Sequence, residues 1–213
     1  MTILISRCTW PQRMKEAGHA AGKTGRAAEL MALALGCVLL VFFCLAAVGA
    51  QSGSDEARLE RNVKAAFLYK FLGYVDYPES AMPGAGEPLV IGVLGADNVA
   101  DELGRITVGR SMNGRPVVVR KLRHGEAPGK VHMLFIGDDD VADMERALAS
   151  VRQAPVLTVT ETGRALRQES VINFRVIDER VRFEVSLDAA EINKLKLSSR
   201  LLAVAYKVQR GNR

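Results

Sequence analysis

Pro88-Leu89-Val90-Ile91-Gly92-Val93-Leu94-Gly95 is an unbroken apolar run bounded by turn-forming residues. A run this short, without alternating polar positions, suits a strand buried on both faces, and such strands belong to parallel sheets covered by helices. The flanking sequence repeats the theme. Asp97 reads as the cap of a short helix carrying Val99, Leu103 and Ile106, and Asn113-Gly114 turns the chain into a second strand over 116–122. Residues 131–136 form a third buried strand, Val141, Met144, Leu148 and Val151 line a helix, and 156–160 form a fourth strand.

The pattern changes towards the end. Ile172, Phe174 and Val176 alternate with Asn173 and Arg175, and Val181, Phe183, Val185 and Leu187 alternate with Arg182, Glu184 and Ser186. That is the period of an antiparallel hairpin with one dry face, turned at Asp178-Glu179. A last helix or turn follows Asp188, with Ser198 and Ser199 placed to cap a helix before Leu201-Leu202. Upstream, Leu59, Val63, Ala66, Phe67, Phe71 and Tyr74 recur at helical spacing, with Ser54 as N-cap, Asp55 and Glu56 in the first turn, and Gly73 and Pro78 as the stop. The expected fold is α/β: a layered, Rossmann-like or flavodoxin-like, mostly parallel sheet with helices on both faces and a C-terminal antiparallel hairpin.

Residues 1–50 read differently. The run from Leu30 to Ala50 is uncharged and apolar, follows basic residues and ends in Val48-Gly49-Ala50, a spacing suited to signal peptidase. Its length also suits a membrane anchor left uncut. The expected organisation is a signal peptide or N-terminal membrane anchor over 1–50, a linker over 51–57, one α/β domain over 58–208 and a tail over 209–213. Cys8, Cys37 and Cys44 all precede the expected cleavage point, so the body has no thiol nucleophile, cysteine metal site or disulfide. Cys37 after Ala34-Leu35-Gly36 faintly resembles a lipoprotein attachment site, though the apolar stretch before it is short.

Of 213 residues, 29 are Lys or Arg and 24 are Asp or Glu; five and two of these lie in the first fifty, so 24 and 22 remain in a nearly balanced body. That balance, with few aromatic residues among the basic ones, argues against nucleic acid as a partner. Charge is nevertheless uneven. Arg105, Arg110, Arg115, Arg120, Lys121 and Arg123 occupy a stretch without an acid, which offers positive potential to an acidic partner or lipid headgroups, or forms a solvated face.

No catalytic carrier is visible: the body lacks G-x-S-x-G, H-E-x-x-H and cysteine. Gly92 to Asp97 sits at a strand-to-helix junction but lacks G-x-G-x-x-G, so Gly95 makes a turn and Asp97 a cap. Asp138-Asp139-Asp140 suits a divalent cation or a solvated turn, without a second acidic cluster to complete a metal shell. His132 falls inside an apolar strand and reads as a core histidine with an internal hydrogen bond. No cofactor or metal is expected. One alternative remains open, a small solute-binding protein holding an anionic ligand on strand-end loops through Gly95, Asp97, Asn98 and Asp138.

Three blocks together resemble the YfiR family of periplasmic proteins. They are Val63-Lys64-Ala65-Ala66-Phe67-Leu68-Tyr69-Lys70-Phe71 running into Val75-Asp76-Tyr77-Pro78; Ile91-Gly92-Val93-Leu94-Gly95 with Gly114-Arg115-Pro116; and Ile172-Asn173-Phe174, Val181-Arg182-Phe183-Glu184-Val185, Leu187-Asp188-Ala189-Ala190 and Leu195 to Leu202. The resemblance implies a non-enzymatic regulator that binds the periplasmic domain of an inner-membrane diguanylate cyclase and inhibits it, lowering cyclic di-GMP and biofilm formation. It also implies capture by an outer-membrane OmpA-like lipoprotein, and a homodimer is a further expected partner arrangement. Expected partner-facing residues are Arg120, Lys121, Asn173, Arg182 and Glu184. The family's body cysteines and their redox control have no counterpart here, and Gly163 to Ser170 replaces its Gly/Phe-rich turn.

Overall fold

The computed structural model describes residues 55–84, 86–137, 141–162 and 169–211. The expected Ser54 cap, the leader, Asp138 to Asp140 and most of the 163–170 stretch lie outside them. The first helix, α1, covers 55–71 and passes through a 3-10 turn, Leu72–Tyr74, into the two-residue strand β1, Val75–Asp76. The buried apolar run is β2, Leu89–Leu94, followed by α2, Asp97–Thr107. Asp97 is the first helical residue and not the cap; Ala96 holds that position without a side-chain hydrogen bond.

A hairpin comes next, β3 (Ser111–Met112) against β4 (Arg115–Leu122), paired Met112 to Arg115. Asn113 and Gly114 have φ of 52° and 77°, the two left-handed positions of a two-residue hairpin turn that matches strand twist. Then follow β5 (Met133–Ile136), α3 (Val141–Ser150), β6 (Leu157–Thr160), β7 (Ile172–Ile177) and β8 (Arg180–Ser186). The chain finishes through α4 (Leu187–Ile192), β9 (Lys196–Leu197), α5 (Ser199–Val204) and β10 (Lys207–Gln209). Ser186 caps α4 by accepting from Ala189 N, and Ser198 caps α5 by accepting from Arg200 N.

The described strands make an eight-stranded sheet in the order β10-β8-β7-β6-β5-β2-β4-β3, while β1 and β9 pair separately. Within the large sheet, β7–β8 and β3–β4 are antiparallel and the other pairs parallel. The mostly parallel α/β sheet with its late hairpin is therefore present, with a second small hairpin at one edge and a parallel strand, β10, at the other.

Side-chain alternation sorts the core into two layers. Ile91, Val93, Met133, Phe135 and Val159 point to the side of α1 and α2, joining Leu68, Phe71, Leu103, Phe174 and Phe183. Leu94, Leu122, Leu134 and Ile136 point to the other side, against Met144 and Leu148 of α3. Phe67, Phe71, Phe174 and Phe183 pack with ring centroids 5.0–6.2 Å apart. Burying such a ring stabilises the fold by roughly 2–3 kcal/mol, so α1 is clamped to the hairpin. The helical stripe of α1 is rotated from the expected one: Leu59 is exposed, while Lys64 is buried with Ala65 and Leu68.

Candidate functional site

Three places gather the residues that sequence reasoning singled out. The first is the strand-end crevice. The chain leaves β2 through α2 towards β4 and leaves β5 through α3 towards β6, so the loops after β2 and β5 flank a topological switch point, where open α/β sheets take ligands. Gly95 on one of these loops and Asp97 and Asn98 in the first turn of α2 are exposed. The opposite loop begins at Gly137, whose N–H donates to the Leu94 carbonyl. A β-carbon at 137 would stand 2.7 Å from the Ala96 methyl, so the two loops touch where a ligand would enter. Beside them, the buried Lys64 ammonium is paired with Glu60 on its own helix and with Glu161 just beyond β6.

The second place is the late hairpin. Asn173 was expected to face a partner, but it is 2% exposed. Its side-chain oxygen accepts from Thr160 Oγ1 and from Thr162 N, both at 3.0 Å, and its nitrogen donates to the Thr162 carbonyl at 3.1 Å. Thr160 and Ser170 hydroxyls meet at 2.7 Å beside it. Glu184, across the ladder from Asn173, is also buried. The polar face of the hairpin is therefore covered at its base, where Asn173 satisfies backbone and hydroxyl groups at the end of β6. Arg182, opposite Arg175, is exposed.

The third place is β4 and the crossover that follows it. Lys121 Nζ lies 2.7 Å from Asp101 and 4.0 Å from Asp97 on α2, and the Asp101 hydrogen bond holds its pKa above the usual lysine value. Arg120 points to the opposite face of the sheet, towards Gly129, and its Nε and Nη2 are buried without a hydrogen-bond partner. Beyond the strand, His124 Nδ1 is 2.8 Å from Asp143 Oδ2 on α3, and Arg146 pairs with the same carboxylate. The His124 hydrogen bond, then the Arg146 charge, hold the Asp143 pKa below 3.8 against its desolvation. Among the described residues no group of three His, Cys, Asp or Glu side chains could hold a metal.

His132 is the core histidine expected. Its Nδ1 accepts from Val90 N at 3.0 Å, which places the ring proton on Nε2, and a further hydrogen bond links it to the Ala81 backbone. Burial first, then the Lys130 charge, lowers its pKa from 6.5.

These positions sit within one recognisable unit. A family model described as YfiR/HmsC-like (DUF4154) matches residues 61–206, which takes in α1 from Arg61 onwards, every described helix after it and the sheet up to the start of β10. The chain belongs to the YfiR/HmsC-like family. This YfiR/HmsC-like domain points to a periplasmic regulator in a diguanylate cyclase system, and the family is regulatory, with no enzyme activity known for it. Two features of it were not found from sequence. The Lys64–Glu161 pair joins positions far apart in the chain, and the buried Asn173 and Glu184 look in sequence like any polar residues of an alternating strand.

Proposed function

We infer that this chain is a periplasmic binding protein that inhibits an inner-membrane diguanylate cyclase through the cyclase's periplasmic domain, lowering cyclic di-GMP and biofilm formation. The observation that carries this reading is the family match across 61–206. Residues 1–50 supply export, either as a cleaved signal or as a retained anchor. Arg182, Arg120 and Lys121 contact the partner, while Asn173 and Glu184 act indirectly by fixing the shape of the hairpin base. Inhibition requires the regulator to bind the inactive state of the cyclase more tightly than the active one. An outer-membrane OmpA-like lipoprotein relieves it by competing for the free regulator.

The test is cellular cyclic di-GMP in a deletion strain complemented with the full chain or with a chain lacking residues 1–50. A rise on deletion, reversed by the full chain alone, is the expected result. Unchanged cyclic di-GMP with the protein expressed would overturn the reading and favour the small-ligand alternative at Gly95 to Asn98.

A further inference from the structure

β4 ends the parallel run of the sheet on one side, and its outer edge is mostly bare. β3 pairs with Arg115 and Pro116 only, whereas β2 pairs with 117–122 on the inner side. In a two-residue hairpin the residues flanking the turn exchange hydrogen bonds, so Arg115 directs its backbone groups towards β3. Val117, Val119 and Lys121, at alternate positions, direct theirs to the same side, beyond the end of β3. Among the described residues no strand pairs with them there, and no other backbone hydrogen bond engages them. A long bare edge of this kind is normally blunted or covered.

The ground beside the edge is shaped and charged. A groove of about 560 Å³ runs along it, lined by Thr107, Val108, Arg110 and Val117 to Val119. Val108 is 79% exposed and Val118 45%, and both line this groove. Among the described residues, Arg110, Arg115 and Arg123 form no ion pair with a carboxylate; Arg110 lies over the Tyr69 ring, 5.8 Å from its centroid, and Arg115 Nε donates to the Pro83 carbonyl, whereas the unpartnered Arg120 nitrogens are buried on the other face of the sheet.

We propose that an extended, carboxylate-bearing segment of the partner protein adds to β4 as a further strand, pairing with the backbone of Val117, Val119 and Lys121 and setting its acids against the flanking arginines. Main-chain pairing supplies affinity in this mode, and alternate side chains supply selectivity. Charge decides the occupant. Arg105 and Lys121 are already paired with acids of α2, but a second copy of this chain would bring Arg110, Arg115 and Arg123 against themselves, whereas an acidic strand meets them with complementary potential. This proposal rests on the regulatory reading above and names the surface that reading leaves open.

The test uses the exported chain and the purified periplasmic domain of the cyclase. Val119→Pro removes one outward N–H at an edge position where proline is tolerated, and should weaken binding about tenfold or more. Arg110→Glu should slow association and flatten its salt dependence. Amide exchange on the unmodified chain provides a readout independent of how the proline variant folds: Val117, Val119 and Lys121 should become protected in the complex. Binding with those amides unprotected overturns the edge proposal and leaves the regulatory reading standing. No binding by the unmodified chain overturns both. Concentration-dependent protection without the cyclase domain would assign the edge to a second copy, and loss of binding to anionic vesicles in Arg110→Glu, with Val119→Pro unaffected, would assign it to a membrane surface; either result overturns the proposal.

Discussion

The Tyr77 hydroxyl donates to the backbone carbonyl of His132 at 3.1 Å, and the two rings meet edge to face with centroids 6.3 Å apart. Burial pushes the Tyr77 phenol far above its usual pKa, so the donor keeps its proton across the range in which the protein is folded. With Val90 N bound to the His132 ring, this contact ties the segment after β1 to the strands β2 and β5. Tyr77→Phe keeps the ring and deletes the donor. It should lower stability by about 1–2 kcal/mol, read from urea unfolding midpoints with an unchanged slope.

His132 gives a sign for pH. Its folded pKa lies below 6.5, so between the two values the unfolded chain binds a proton that the folded chain refuses. Its contribution is complete above about pH 6.5 and is lost as pH falls from there through the folded value. Asp143, also depressed, acts in a lower window: its contribution is present above 3.8 and is lost as pH falls further. Stability measured from pH 7.5 to 3 should fall in two stages. His132→Asn should remove the upper stage and Asp143→Asn the lower, and a single stage unaffected by His132→Asn would contradict this assignment.

Lys64 separates charge pairing from burial. Glu60 and Glu161 remain about a third exposed, so Lys64→Met leaves carboxylates that water can reach, and stability should change by less than about 1 kcal/mol. The double substitution Glu60→Gln and Glu161→Gln leaves a buried ammonium without a counter-charge and should cost about 3 kcal/mol. Thermal melts of the two variants compare them directly.

Position 137 has no room for a side chain, since a β-carbon there would stand 2.7 Å from the Ala96 methyl. Gly137→Ala overpacks the meeting point of the two loops and should cost about 1–3 kcal/mol. Ala96→Gly in the same chain removes the opposing methyl and should restore most of that loss, so a double-mutant cycle should show strong coupling between the two positions.

Much of this fold was legible because its signals are local. Ile91 and Val93 on one side and Leu94 on the other announce a strand buried on both faces, and Asn113-Gly114 announces the turn into β4. The two-residue strands β1 and β9 and the three-residue β10 were not legible, since so few residues carry no period. The α1 stripe was misread at Lys64 because its counter-charge Glu161 lies 97 positions away. The burial of the expected partner-facing residues was hardest to read. Alternation marks Asn173, Arg182 and Glu184 as one class, and only the packing of Thr160 and Thr162 shows that Asn173 is internal. The open edge of β4 depends on how far β3 extends, which is a property of pairing and not of any residue in β4.

The aromatic clamp between α1 and the hairpin sets the order in which the chain gains structure. Phe71 and Phe174 are more than a hundred positions apart, yet their rings lie 5.8 Å from each other in the main core. Such a contact closes late, because the loop between the two must be brought together first, and topologies rich in distant contacts fold slowly. Until the hairpin has formed, Phe67 and Phe71 of α1 lack the Phe174 and Phe183 rings that cover them in the folded domain. A chain built this way gains its clamp only once both the first helix and the late hairpin are available, so its first half stays threadable until then.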